Sequence, residues 1–207
     1  NRILLSSVEH PASIETAKYL IKKGYKVEFV PVDSIGELRL DKLSEMMGDD
    51  VCLLSVMTGN NESGVIQPVK EAASIAHKWG AYFHTDATQA IGKIKVDVKD
   101  IDADYLSMSG HKFYGPKGVG VLYAKKGVPF TPFVHGGHQE KGLRAGTYNN
   151  QAIIGLGKAA ELARLNLDKE REKLWTLREM LRKGIEERIP NVVVNGTNDK
   201  NKCLPGT

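Results

Sequence analysis

The feature that most restricts the fold is a repeated alternation between short apolar runs and amphipathic stretches. The apolar runs have the length and the β-branched and aromatic content of buried strands. They are RILLSS (2–7), KVEFVPV (26–32), VCLLSVM (51–57), AYFHTD (81–86), ADYLSMS (103–109) and GVGVLYAKK (118–126). The stretches with helical periodicity between them are SIETAKYLIKKG (13–24), LDKLSEMM (40–47) and VKEAASIAHKWG (69–80). This alternation predicts an α/β fold with a mostly parallel sheet and helices on both faces.

Boundary signals divide the chain further. Ser13 is predicted to cap the first helix and Gly24 to end it. Residues 1–150 are predicted to form a large domain, and residues 151–190, which are helical almost without a break, a long connection to a smaller one. Residues 191–207, which open with the strand-like NVVVNG, would be the start of that smaller domain. Because the chain lacks an initiator Met and stops inside the loop-like NKCLPGT, we expect it to be a piece of a longer protein.

Composition argues against several classes of partner. The net charge is only +4 and the lysines are mixed with acidic residues, so no nucleic-acid surface is predicted. No apolar stretch approaches the roughly 18 residues of a membrane span. Two cysteines, Cys52 and Cys203, lack CxxC spacing, which is typical of a reducing compartment and favours a cytoplasmic protein without disulfides.

Polar side chains follow four of the predicted strands at their carboxyl ends, where parallel α/β sheets bind ligands. These side chains are His10, Asn61, Asp86, Gln89 and Lys112. A carboxylate in such a position is also a common helix cap. An acid and a lysine that converge on one pocket indicate either an ion pair or an aldehyde cofactor.

In the cofactor interpretation, Lys112 forms a Schiff base with pyridoxal phosphate and Asp86 pairs with the pyridine nitrogen, which allows the ring to accept electron density. His10 would stack on the ring and Gln89 would hydrogen-bond its phenolic oxygen. Ser109 and His111, which flank the lysine, suit a phosphate. No metal site is predicted, because the HGGH segment (135–138) has two glycines and no evident third ligand.

Five motifs in order along the chain carry a family resemblance. They are SVEHPA, GNNESGVIQP, HTDATQAIGK, SMSGHKFYGPKGVGVLY and HGGHQEKGLRAGT. In these motifs the chain resembles the cysteine desulfurases of the NifS/IscS type, which are class V aminotransferase-like, fold-type I pyridoxal-phosphate enzymes.

The resemblance implies a role for each candidate residue. Lys112 matches the cofactor lysine and later base, His10 a stacking imidazole that transfers protons, and Asn61 an amide that faces cofactor and substrate. Asp86, Gln89, Ser109 and His111 match the cofactor ligands already described. Thr147 matches a residue that reaches the phosphate in the neighbouring subunit, so a homodimer is implied.

The implied activity converts L-cysteine to L-alanine and leaves an enzyme persulfide for iron–sulfur cluster or thio-cofactor assembly, through a sulfur-acceptor or scaffold protein. The sulfur-accepting cysteine and the arginine for the substrate carboxylate are expected outside this sequence, since neither Cys52 nor Cys203 lies in a matching motif. Two alternatives stay open. One is another class V enzyme, such as a selenocysteine lyase or a small-amino-acid aminotransferase, and the other is a non-catalytic sulfur-assembly partner that kept the fold.

Overall fold

The computed structural model describes residues 1–207 as one sheet with five α-helices. The strands are β1 (Arg2–Ser6), β2 (Lys26–Val30), β3 (Val51–Ser55), β4 (Tyr82–Asp86), β5 (Tyr105–Ser109) and β6 (Gly120–Ala124). The helices are α1 (Pro11–Lys22), α2 (Leu40–Met46), α3 (Val69–Lys78), α4 (Val98–Ile101) and α5 (Asn150–Glu186). Each strand lies inside an apolar run that the sequence predicted.

The six strands lie in the order β2-β1-β3-β4-β5-β6. All neighbouring pairs are parallel except β5 and β6, which are antiparallel. The predicted α/β class with a mostly parallel sheet is therefore confirmed. Because β1, β3, β4 and β5 run in one direction, their carboxyl ends lie at the same edge of the sheet.

Helices α2, α3 and α4 bury one face of the sheet. Leu4, Leu54 and Phe83 from three adjacent strands are fully buried there, among alanines of α3 and Leu43 of α2. Leu5, which follows Leu4 and so points to the opposite face, is also buried. The sheet is therefore covered on both faces at β1, as the sequence predicted.

Helix α1 begins earlier than the sequence indicated. The prediction that Ser13 caps it is wrong: the N-cap is His10, whose Nδ1 accepts a hydrogen bond from the backbone N of Ala12 at 3.1 Å. Pro11 occupies the first helical position, where its missing N–H costs nothing. The predicted stop at Gly24 is confirmed by its left-handed φ of +88°.

Helix α5 confirms the predicted long helix, although it packs tightly only near its start. Its buried residues are Ala152, Leu156 and Ala159, and Leu156 and Ala159 contact Phe113 in the turn after β5. None of the helices combines the length and the apolar run that crossing a membrane requires.

The segment after α5 folds back onto the loop that follows β3. The predicted strand NVVVNG is wrong, because residues 191–196 pair with no other strand and Val193 is 83% exposed. Further along, Leu204 N donates to Gly64 O at 2.8 Å and Ile66 N donates to Lys202 O at 2.9 Å. Leu204 is fully buried by this pairing, which ties the end of the chain to the loop after β3.

A close approach at Gly92 gives a prediction about the turn that carries the lysine motif. Gly92 has φ +78°, and a Cβ placed on it would lie 2.7 Å from Phe113 Cβ. Gly80 has a similar φ of +72° but no atom within 4 Å of such a Cβ. We expect Gly80→Ala to lower the free energy of unfolding by about 1–2 kcal/mol through backbone strain.

We expect Gly92→Ala to lower the free energy of unfolding by about 3 kcal/mol or more, because the new Cβ adds a clash with Phe113 to the same backbone strain. Urea denaturation of the two variants measures the difference. Equal costs at the two glycines would show that the Gly92–Phe113 approach is not a constraint.

Candidate functional site

A cavity of about 310 Å³ opens at the carboxyl edge of the parallel strands. It is lined by seven of the eight side chains that the sequence singled out: His10, Asn61, Asp86, Gln89, Ser109, His111 and Lys112. Thr147 is the exception, and it is exposed in the segment between β6 and α5. Seven of the eight predicted side chains are therefore brought together at the carboxyl ends of the strands.

Asp86 is the last residue of β4 and serves two purposes. Its Oδ1 accepts a hydrogen bond from Thr88 N at 2.8 Å, which stabilises the turn after the strand. Its second oxygen, Oδ2, remains available to a donor in the cavity. The capping and site interpretations of this carboxylate are therefore compatible.

Lys112 lies in a short 3₁₀ turn, Gly110–Phe113, directly after β5. Phe113 anchors the turn by packing under α5, and Gly115 N donates to Gly110 O at 2.9 Å. The side chain of Lys112 is itself exposed at the cavity. Ser109 Oγ and His111 Nδ1 lie 2.9 Å apart, so a hydroxyl and an imidazole are held together beside the amine.

His10 presents one particular nitrogen to the cavity. Since Nδ1 accepts from Ala12 N at the start of α1, a neutral His10 carries its proton on Nε2. The helix cap thus sets both the tautomer and the ring position. The sequence analysis found His10 but missed this second role, because Ser13 looked like the better cap.

Asn60, beside Asn61, was overlooked in the sequence and organises the loop after β3. Its Oδ1 accepts from Glu62 N at 2.9 Å and Ser63 N at 2.8 Å, and its Nδ2 donates to Val8 O at 2.9 Å. These bonds join the loop to the segment that follows β1. They leave the side chain of Asn61 at the cavity.

Glu9 was also overlooked, because a glutamate before a histidine ordinarily reads as a solvated residue. Its side chain is buried, and Oε1 accepts from Met57 N at 2.5 Å. The other oxygen, Oε2, is buried without a partner. Burial, with a smaller contribution from the charge of Asp86, raises the pKa of Glu9 to about 8, and the Met57 N–H opposes this shift.

A histidine between two serines joins three strands close to Asp86. His84 Nδ1 lies 2.8 Å from Ser55 Oγ, and Nε2 lies 2.9 Å from Ser107 Oγ. Burial lowers the pKa of His84, and the charge of Asp86 opposes that shift. The three side chains link β3, β4 and β5 two residues before Asp86.

The lining supplies the groups that an aldehyde cofactor with a phosphate and a ring nitrogen requires. It offers an amine, a carboxylate, two amides, two imidazoles and two hydroxyls within one cavity. No group of three or more His, Cys, Asp and Glu side chains in the structure could hold a metal ion. These residues fit pyridoxal phosphate.

Comparison with known proteins identifies the family. The aminotransferase class-V family model matches residues 1–206. The chain is 50% identical over 205 residues to cysteine desulfurase IscS of Clostridium botulinum (strain Hall), an alignment that covers 99% of this chain and 52% of the relative. The chain belongs to the aminotransferase class-V family, and it spans about half the length of the curated relatives it matches.

Solved structures agree with this assignment. A NifS-like protein matches with a TM-score of 0.94 at 41% identity, over 99% of this chain and 56% of that one. A protein titled SspA in complex with cysteine matches with a TM-score of 0.75 at 37% identity, over 77% of this chain and 47% of that one. The fold of fold-type I pyridoxal-phosphate enzymes, which the sequence resemblance implied, is confirmed.

The buried carboxyl group of Glu9 predicts a pH-dependent stability. The pKa is about 8 in the folded chain against 4.5 for an unburied glutamate, so the folded state binds the proton more tightly. Its stabilising contribution is complete below pH 4.5 and is lost as the pH rises through about 8. Glu9→Gln, which has no charge to bury, should not show this loss.

We therefore expect the free energy of unfolding of Glu9→Gln to exceed that of the original chain increasingly between pH 5 and 8. The difference in free energy of unfolding between Glu9→Gln and the original chain should level off at about 3–5 kcal/mol above pH 8. Glu71→Gln, at an exposed position on α3, is the matched control and should show no such gap. Denaturant unfolding at pH 5, 7 and 9 measures this, and parallel curves for all three proteins would mean that Glu9 is not buried as a neutral acid.

Proposed function

We propose that the whole protein is a pyridoxal-phosphate-dependent cysteine desulfurase. It would convert L-cysteine to L-alanine and pass the sulfur, as a persulfide, to an acceptor or scaffold protein for iron–sulfur cluster or thio-cofactor assembly. The observation that carries the proposal is the convergence of Lys112, Asp86, Gln89 and His10 on one cavity. Its support is a 50% identical relative named as a cysteine desulfurase.

Each residue of the cavity has a physical task in this proposal. Pyridoxal phosphate, when bound, supplies an aldehyde that captures amines and a ring that accepts electron density from the α-carbon of the substrate. Lys112 would hold the cofactor covalently through its amine, and the same amine would move protons at the α-carbon of the substrate. The free oxygen of Asp86 would bind the protonated ring nitrogen and keep the positive charge on it.

The other side chains bind and orient. Ser109 and His111 present a hydroxyl and an imidazole to the phosphate, already placed 2.9 Å from each other. His10 would face the ring and transfer a proton through Nε2, since Nδ1 is occupied by the helix cap. Asn61 offers its amide to cofactor and substrate, and Gln89 binds the phenolic oxygen.

The sulfur-accepting thiol is proposed to lie elsewhere in the whole protein. Neither Cys52 nor Cys203 lines the cavity. Cys203 is fully buried, and that burial raises the pKa of its thiol, which disfavours the reactive thiolate. The transfer breaks the carbon–sulfur bond of cysteine and forms a sulfur–sulfur bond with the accepting thiol, while the β-carbon gains a proton.

A cytoplasmic homodimer completes the proposal. Thr147 is exposed in a segment with glycines of left-handed φ, at Gly142 and Gly146, and it does not line its own chain's cavity. In a two-fold dimer the same contact occurs twice. We propose that Thr147 reaches the phosphate bound by the other subunit.

The proposed function is tested by turnover of L-cysteine in the presence of a thiol reductant. The whole protein should release L-alanine and sulfide, and Asp86→Asn should reduce the rate about 10²–10³-fold, because a preorganised charge is lost at the reacting ring. Asp97→Asn is the matched control: Asp97 also accepts a backbone N–H two residues ahead, from Lys99 at 2.9 Å, but lies outside the cavity. Near-normal turnover in Asp86→Asn would mean that Asp86 only stabilises the turn after β4. If the unmodified protein released no alanine, the proposed function would be overturned.

A further inference from the structure

We propose that Lys93 is a positioning residue that fixes the Gln89 amide so that its nitrogen, and not its oxygen, faces the cavity. Lys93 was not among the predicted site residues, although it closes the motif HTDATQAIGK. The inference rests on the proposed function, in which Gln89 must donate a hydrogen bond to the phenolic oxygen of the cofactor. It assigns the orientation of that Gln89 donor to a second, more remote side chain.

The geometry is a single well-placed hydrogen bond. Lys93 follows Gln89 by four residues in the turn after β4, and its Nζ donates to Gln89 Oε1 at 2.9 Å. An ammonium group has three donors and no acceptor, so it can pair only with the oxygen end of an amide. With Oε1 facing Lys93, the amide nitrogen is directed to the other side, and Gln89 lines the cavity there.

Such fixing is necessary because the two ends of a glutamine amide have nearly the same shape. Packing alone therefore does not determine which way the amide is turned, whereas the hydrogen-bond partners of its oxygen and nitrogen do. A reversed Gln89 would place its N–H donors against the Lys93 ammonium and its carbonyl oxygen against an oxygen acceptor in the cavity. Both contacts are repulsive, so Lys93 makes the cavity selective for a ligand with an acceptor oxygen at this position.

The setting holds Lys93 in place. Its side chain lies on the wall of a second cavity between the lysine turn and α5, which is also lined by Lys112, Phe113 and Ala159. Gly92 precedes it with φ +78°, a conformation that favours glycine and turns the chain so that the next side chain points back to Gln89. The side chain of Lys93 is half-buried, and this burial, followed by the charge of Lys112, lowers the pKa of Lys93.

The test is a double-mutant cycle on the affinity of the apoprotein for pyridoxal phosphate, measured by titration on the whole protein. Lys93→Met keeps the length of the side chain and removes the donor. We expect it to weaken cofactor binding about fivefold to tenfold when Gln89 is present, and less than about twofold when Gln89 is already alanine. Lys93→Arg, which can still donate to Oε1, should restore the affinity to within about threefold of the original.

Two further variants separate the donor role from charge and from folding. Gln89→Glu keeps a partner for Lys93 but has no N–H donor, so it should bind the cofactor at least as weakly as Gln89→Ala. Lys95→Met removes an exposed lysine two residues away and should leave the affinity unchanged. The wavelength of the bound cofactor's visible band should shift in Lys93→Met and return in Lys93→Arg, which a loss of stability alone does not produce.

The outcomes are distinguishable. If Lys93→Met weakens binding equally with and without Gln89, or if Gln89→Glu binds as tightly as the original, the amide is not oriented by Lys93 and this inference alone is overturned. If Lys93→Met does not fold, the affinities of Lys93→Arg and Gln89→Glu for the cofactor decide. Retained affinity in Lys93→Arg with lost affinity in Gln89→Glu supports the inference, and original affinity in Gln89→Glu overturns it. If the unmodified protein binds no pyridoxal phosphate, the proposed function fails, and this inference fails with it.

Discussion

The parallel register of the strands is the constraint on which the rest of the structure depends. Ser55 is aligned with His84, and Asp86 with Ser107, so the carboxyl ends of β3, β4 and β5 lie side by side. Four short segments of chain, those that follow β1, β3, β4 and β5, leave the sheet at this edge, and each adds polar side chains to the same cavity. The direction and register of the strands therefore determine where the cavity lies, and the individual residues determine which groups line it.

Buried polar contacts then convert this rough convergence into fixed positions. Two hydrogen bonds join the segment after β3 to the segment after β1: Met57 N donates to the Glu9 carboxyl group, and Asn60 Nδ2 donates to Val8 O. His84 bridges neighbouring strands through two serines. Each of these groups is costly to bury without a partner, so together they specify one arrangement of the cavity wall.

Much of this could be predicted from the sequence because its signals are local. Apolar runs such as VCLLSVM located the strands, and strand ends located His10, Asp86 and Lys112. The misses depended on tertiary context. NVVVNG has the composition of a strand, but at residues 191–196 no sheet edge pairs with it. Glu9 and Lys93 are charged residue types whose burial follows only from the packing around them, which a linear pattern does not contain.

Lys112 is proposed to be the amine that holds the cofactor, and chemical trapping is the measurement that tests this assignment. The whole protein is incubated with pyridoxal phosphate, reduced with borohydride, digested and mapped by mass spectrometry. We expect a phosphopyridoxyl group on the peptide that contains Lys112, and none on Lys93, although Lys93 lines the adjacent cavity. Stoichiometric labelling at another lysine, with Lys112 unmodified, would contradict it.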